Sequence, residues 1–247
     1  MDRLHPLDSG HQMHHHVSLI SPNTDIPMAL KAVFFDVGET LIDETRDWGE
    51  WADYLGVTRL TLFAALGAVI NRGQHHREVF QLIRPGCDFA ALNAQREAEG
   101  RAYALQATDL YPDAVPCLSE LKSLGMRVGI AGNQPAAIED VLASLGVPAD
   151  IVASSQRWGV EKPSQAFFDK VIEAAEGIAP HEIAYVGDRL DNDVIPVARA
   201  GMVGVFLRRG PWAVIQPSAH TGFDIEHTIS SLSELPGLFV RLREQVA

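Results

Sequence analysis

Short continuous apolar runs recur along the chain from residue 32 onward: AVFFD (32–36), RVGIAG (127–132), DIVAS (150–154), IAYVGD (183–188) and VGVFL (203–207). Runs of this length without polar alternation predict strands of a parallel sheet buried on both faces. Between them apolar residues return at helical spacing. In DAVPCLSELKSLG (113–125), Asp113 stands at the N-cap position and Gly125 just past the end. PAAIEDVLASLG (135–146) opens on Pro135, closes on Gly146, and places Ile138, Val141, Leu142 and Leu145 on one face. SQAFFDKVIEAAEG (164–177) does the same with Phe167, Phe168, Val171 and Ile172. Strand–helix alternation of this kind predicts a doubly wound, Rossmann-like α/β sheet.

The alternation breaks once. Residues 44–108 carry only helical periodicity, as in Trp48, Trp51, Ala52 and Leu55. A stretch this long exceeds any crossover and predicts a helical insert packed over the C-terminal end of the first strand. The predicted organisation is therefore a core of residues 28–43 and 109–247, an insert of 44–108, and a flexible extension of 1–27. That extension is rich in His, Ser and Pro, has no period, and precedes Met28, a natural start. Its HQMHHH segment could hold a transition metal loosely, but a tail without function is the expectation.

Composition narrows the setting. A net charge of −12 argues against nucleic acid or an anionic membrane as partner, since both require basic surface. It leaves room for a small anionic substrate in a local basic pocket. Two cysteines, Cys87 and Cys117, share no metal-like spacing and point to a reducing compartment. No run approaches the ~18 apolar residues of a membrane span, and the N-terminus lacks a signal-peptide core, so a cytoplasmic protein is expected.

Ligands of open α/β sheets bind beyond the carboxyl ends of the strands. Asp36, Asn133 and Asp188 each follow a predicted strand, and Lys162 lies in the loop after DIVAS. Carboxylates with one lysine could hold a divalent cation and an anionic group together. Four motifs in order, FFDVGETL, VGIAGN, the EKP around Lys162, and YVGDRLDNDV, resemble those of the haloacid dehalogenase-like (HAD) hydrolase superfamily, and the helical insert resembles its C1-type cap. The resemblance implies a nucleophilic Asp36 that forms an aspartyl-phosphate. It also implies Mg²⁺ held by Asp36, the Gly38 carbonyl, Asp188 and Asp193, with Lys162 offsetting charge between nucleophile and phosphate. Backbone N–H groups around Gly132 and Asn133 would bind the phosphate. Asn133 reads equally well as a helix cap. Asp191 is expected at the surface, and Asn192 to cap or orient its loop.

Two positions depart from that pattern. Gly38 stands where the family carries a second aspartate, the usual acid/base, whose loss typically costs ~10²–10⁴ in rate. Gly132 removes a hydroxyl contact to phosphate, a loss on the order of one neutral hydrogen bond. In an extended segment Glu39 would face away from Asp36. Three readings stand: a Mg²⁺-dependent phosphatase of small phosphorylated metabolites, a metal-independent haloacid dehalogenase, and a degenerate fold that binds a phospho-ligand or protein without turnover. Within the insert, Arg72, His75, His76 and Arg77 read as a solvated face, and Trp48 and Trp51 as core. RRGPW (208–212) follows a strand end and receives no role.

Overall fold

In the computed structural model, which describes residues 30–216 and 224–244, six strands form one parallel sheet. They are β1 (Ala32–Phe35), β2 (Arg127–Gly132), β3 (Ile151–Ser154), β4 (Ile183–Gly187), β5 (Val203–Leu207) and β6 (His227–Ile229), in the order β3-β2-β1-β4-β5-β6. The extension expected over residues 1–27 lies outside the described residues.

Burial on both faces explains why the strands read as continuous apolar runs. Val33 and Phe35 of β1, with Val128, Ile130, Ala184, Val186 and Val205, meet one helical layer. It contains α5 (Ala114–Ser123), α6 (Ala137–Ser144) and α11 (Leu235–Glu244), which contribute Leu118, Leu121, Leu142 and Phe239. Ala32 and Phe34 of the same strand face the opposite side with Tyr185, against Phe167, Phe168 and Val171 of α8 (Gln165–Ala174), joined by the short α7 (Ser155–Trp158) and α9 (Ile195–Arg199) through Trp158 and Val197. Full burial of each phenylalanine contributes roughly 1.5–3 kcal/mol.

Two helix starts differ from expectation. Asp113 does occupy the N-cap position of α5, but its carboxylate bonds Arg209, the Ser231 hydroxyl and the Leu232 N–H rather than its own helix. The segment opening at Pro135 becomes α-helical only at Ala137, because its first turn closes as an i→i+3 bond from the Ile138 N–H to the Pro135 carbonyl. Strand β6 has no signature in the sequence: it is three residues long and buries only His227 and Ile229.

Between β1 and β2 stand α1 (Thr45–Leu55), α2 (Arg59–Asn71), α3 (Glu78–Ile83) and α4 (Phe89–Ala98). Gly56 ends α1 in a left-handed cap, and the Thr58 hydroxyl caps α2 by accepting the Thr61 N–H at 3.2 Å. These helices share an apolar cluster of Trp51, Leu62, Leu66, Val69, Val79 and Phe80. Trp212, from α10 (Gly210–Ile215) after β5, completes that cluster from the sheet side. The buried Arg96 of α4 lies over the Trp51 ring and pairs with Glu50 at 3.0 Å, tying α4 to α1. No single helix among the described residues is long and apolar enough to cross a membrane.

Strand packing leaves no room at Gly129, where a Cβ would stand 2.8 Å from Phe34 Cζ and closer still to other ring carbons. Gly129→Ala should therefore lower stability by about 1–3 kcal/mol in urea denaturation, through overpacking of β1 against β2.

Candidate active site

The strand order reverses direction between β1 and β4, and the polar residues gather beyond the carboxyl ends of the strands at that point. Asp36 follows β1 directly, with its N–H bonded to the Val186 carbonyl of β4 at 2.9 Å. Asp188 follows β4. Asp193 sits in a π-helical turn, Leu190–Val194, with its carboxylate packed against Gly187 at the end of β4. Asp36, Asp188 and Asp193 are all buried, and each offers an oxygen within 4.8 Å of the others.

Lys162 enters from the loop before α8. Its Nζ lies 2.7 Å from Asp36 Oδ1 and 2.7 Å from Asp193 Oδ1, and it faces the Tyr185 ring at 5.4 Å. Burial alone would lower its ammonium, but the two carboxylates outweigh burial and hold it well above the ordinary lysine value. Burial is also the main reason that Asp193 is pushed up to about 6, against the pull of Lys162. Asp188 is raised well above the usual range by burial and by the Asp193 and Asp36 carboxylates. Its Oδ2 is buried and makes no hydrogen bond.

Asn133 resolves toward a structural task. Its amide donates to the Lys162 carbonyl at 2.9 Å, and its Oδ1 accepts the Lys162 N–H at 2.8 Å. This two-point clamp holds the lysine's backbone across 29 residues of sequence. Gly132, at the end of β2, is pressed against the nucleophile candidate: a Cβ there would stand 2.8 Å from Asp36 Oδ1. Asp191, expected at the surface, is half-buried, paired with Arg189 at 2.9 Å and accepting the Gln216 amide at 2.8 Å.

The turn after β1 departs from simple alternation. Glu39 has φ of +52°, a left-handed conformation that costs a non-glycine residue roughly 1–2 kcal/mol. Its buried carboxyl accepts the Tyr111 hydroxyl at 2.8 Å and the Glu44 N–H at 3.0 Å. Burial raises it above the ordinary glutamate value. Glu44, at the entrance to α1, was not singled out in the sequence. Its Oε2 accepts the Trp48 indole N–H at 3.2 Å, while its carboxyl carbon lies 2.9 Å from where a Cβ on Gly38 would be. Loss of solvent, and then the Glu39 carboxyl, push it up to about 8. Only the gap at Gly38, followed six residues later by an acid, could have pointed to it.

A cavity of about 200 Å³ adjoins this turn, lined by Glu39, Thr45, Trp48, Phe63, Leu66 and Pro211. Trp48 thus faces the cavity as well as packing in the insert, and the RRGPW segment does border the site. The Arg209 guanidinium donates to the Thr40 carbonyl at 3.0 Å. Of the basic cluster, Arg72, His75 and Arg77 are exposed, whereas His76 is half-buried with its ring 6.0 Å from Trp48 and 6.3 Å from Trp212.

Three acids and a lysine gathered beyond the carboxyl edge of a doubly wound α/β sheet make a site that can hold a cation beside an anionic group. The family model for haloacid dehalogenase-like hydrolases matches residues 30–201. Glyceraldehyde 3-phosphate phosphatase of Methanopyrus kandleri is 33% identical over 213 residues, 76% of this chain and 88% of the relative. Pyrimidine 5'-nucleotidase YjjG of Escherichia coli is 28% identical, over 86% of this chain and 90% of its own. Among solved structures, a HAD-superfamily hydrolase of subfamily IA, variant 1, from Geobacter sulfurreducens matches with a TM-score of 0.59 at 21% identity, covering 85% of this chain and 97% of that one. The chain belongs to the haloacid dehalogenase-like hydrolase family and is a hydrolase.

Removing one partner from the buried Lys162 pairings leaves carboxylates uncompensated. Lys162→Met should lower the unfolding free energy by about 3–5 kcal/mol in urea denaturation in metal-free buffer.

Proposed function

We propose that the chain is a Mg²⁺-dependent phosphatase of small phosphorylated metabolites, working through an aspartyl-phosphate on Asp36. The observation that carries this reading is the charge imbalance of the pocket. Three buried carboxylates face one lysine ammonium, and one Asp188 oxygen has no partner. With all three ionised the pocket would hold two more negative charges than Lys162 offsets, which is costly unless a cation shares the site. An all-oxygen donor set suits Mg²⁺. Asp36, Asp188, Asp193 and the Gly38 carbonyl would hold the ion, which supplies positive charge at the phosphate oxygens. A metal-free dehalogenase finds less support, because it would leave that excess uncompensated.

In this reading Asp36 attacks phosphorus, and Lys162 screens the approach of one anion to another. Its backbone clamp to Asn133 keeps the ammonium between Asp36 and Asp193 throughout. Helices α1–α4 serve as the cap, and the segment of residues 44–108 as the unit that sets substrate choice. The cavity beside Glu39 is about 200 Å³, below the ~300–1,000 Å³ of pockets for drug-sized ligands, and so favours a substrate of few carbons. The relative from Methanopyrus kandleri carries a triose phosphate in its name, which agrees with that size.

Phosphate release from a panel of triose, sugar and nucleotide monophosphates tests the assignment. Activity should require Mg²⁺, disappear with EDTA, and fall to background in Asp36→Asn; an active Asp36→Asn enzyme overturns the nucleophile. A binding readout accompanies it. Mg²⁺ should raise the melting temperature of the wild type but not of Asp188→Asn, by mass action on the folded state. In EDTA, Asp188→Asn should melt at or above the wild type, since it replaces a buried carboxyl whose ionisation its burial and acidic neighbours oppose.

A further inference from the structure

Phosphoryl transfer to Asp36 expels an alkoxide that needs a proton, and the later attack of water needs a base. The chain's own acids near Asp36 are few, and most are committed. Asp188 and Asp193 belong to the buried cluster with Lys162. Glu39 accepts from both the Tyr111 hydroxyl and the Glu44 amide. Glu44 alone has an oxygen turned to the empty side of Gly38. Trp48 holds its Oε2, while Oε1 occupies the space in which a side chain at position 38 would begin.

We propose that Glu44 is the general acid and base of this hydrolase, entering from the start of α1 to fill the place that Gly38 leaves open. The proposal rests on the phosphatase reading above. The absence of a side chain at 38 and the presence of a carboxyl at 44 are two halves of one arrangement, because any Cβ at 38 would collide with Glu44. Glu39 takes the part of a positioning residue. Its Oε1 accepts the Glu44 N–H at 3.0 Å and its Oε2 is fixed by Tyr111, so the turn folds back until residue 44 lies against residue 38. The apolar cavity lined by Glu39, Thr45 and Trp48 borders the same turn, where the organic part of a leaving group would lie.

The step balances as follows. An Asp36 carboxylate oxygen bonds to phosphorus, the bond from phosphorus to the ester oxygen breaks, and that oxygen keeps the electron pair. The Glu44 carboxyl gives it a proton, and an alcohol departs. Water then attacks the aspartyl-phosphate, Glu44 carboxylate takes the water's proton, and the bond from phosphorus to Asp36 breaks. Inorganic phosphate leaves, with Asp36 ionised and Glu44 again protonated.

The test is leaving-group dependence in the full-length protein with Mg²⁺. kcat/KM is measured on p-nitrophenyl phosphate, phenyl phosphate and alkyl phosphates for the wild type, E44Q, G38D, the double variant G38D/E44A and D36N. General-acid help matters most for poor leaving groups. E44Q should therefore lose ~10²–10⁴ on alkyl phosphates and at least tenfold less on p-nitrophenyl phosphate. G38D should melt lower than the wild type, by collision with Glu44. The double variant should melt higher than G38D and recover the alkyl phosphates relative to E44Q. An E44Q loss that is equal across the series, or no loss at all, overturns the proposal, as does a double variant that folds yet recovers nothing. The parent reading fails separately: it falls if D36N stays active or if the wild type turns over none of the esters. If D36N is inactive and E44Q keeps the wild-type dependence, only the Glu44 assignment falls.

Discussion

Everything else at the site depends on the Lys162 ammonium held 2.7 Å from both Asp36 and Asp193 with almost no solvent. A lysine buried alone would shed its proton, and two acids buried alone would take one up. Together they form two close ion pairs, and the surrounding structure serves to hold that geometry. Asn133 grips the lysine's backbone, the Tyr185 ring lies beneath the ammonium, and the Arg189 N–H binds Asp193 Oδ2 at 3.0 Å. Lys162 pairs with two of the three acids, and the third, Asp188, keeps a buried oxygen with no hydrogen bond.

The sheet makes the meeting possible because its order reverses at β1 and β4. Loops leaving β1, β3 and β4 converge on one edge although the first lies more than a hundred residues before the other two in sequence. Contacts from later segments then brace the turn after β1. Arg209 reaches the Thr40 carbonyl and the Asp113 carboxylate, and lies over the Tyr111 ring at 4.0 Å. Tyr111 in turn holds Glu39. The turn has a left-handed glutamate in it, and this network is what over-determines that conformation.

How much could be read in advance follows from range. Five strands were legible because burial on both faces writes itself as unbroken apolar runs, as in IAYVG of β4. β6 was not, because three residues with one inward face leave no such mark. Asp36, Lys162 and Asp188 were legible as acids and a lysine at strand ends, and Asp193 only through the resemblance of its motif; the structure brings their side chains together. The bond from Asn133 to Lys162 was hidden, since nothing in AGN specifies a partner 29 residues away. Glu44 was hidden for a sharper reason. Alternation predicts side-chain direction only while the chain stays extended, and φ of +52° at Glu39 ends that rule just where it was needed. Asp113 shows the same limit, since its carboxylate answers to Arg209 and Ser231 rather than to its own helix.

Trp212 adds a constraint of another kind. It belongs to α10, after the fifth strand, yet its ring completes the apolar cluster of the four inserted helices. The insert is therefore no interchangeable cassette. A homologous segment grafted in place of residues 44–108 would meet an indole shaped for a different surface, and would have to bring a matching α10 with it. Divergence in these four helices is thus tethered to a residue more than a hundred positions downstream, and the two regions should drift through evolution as one unit.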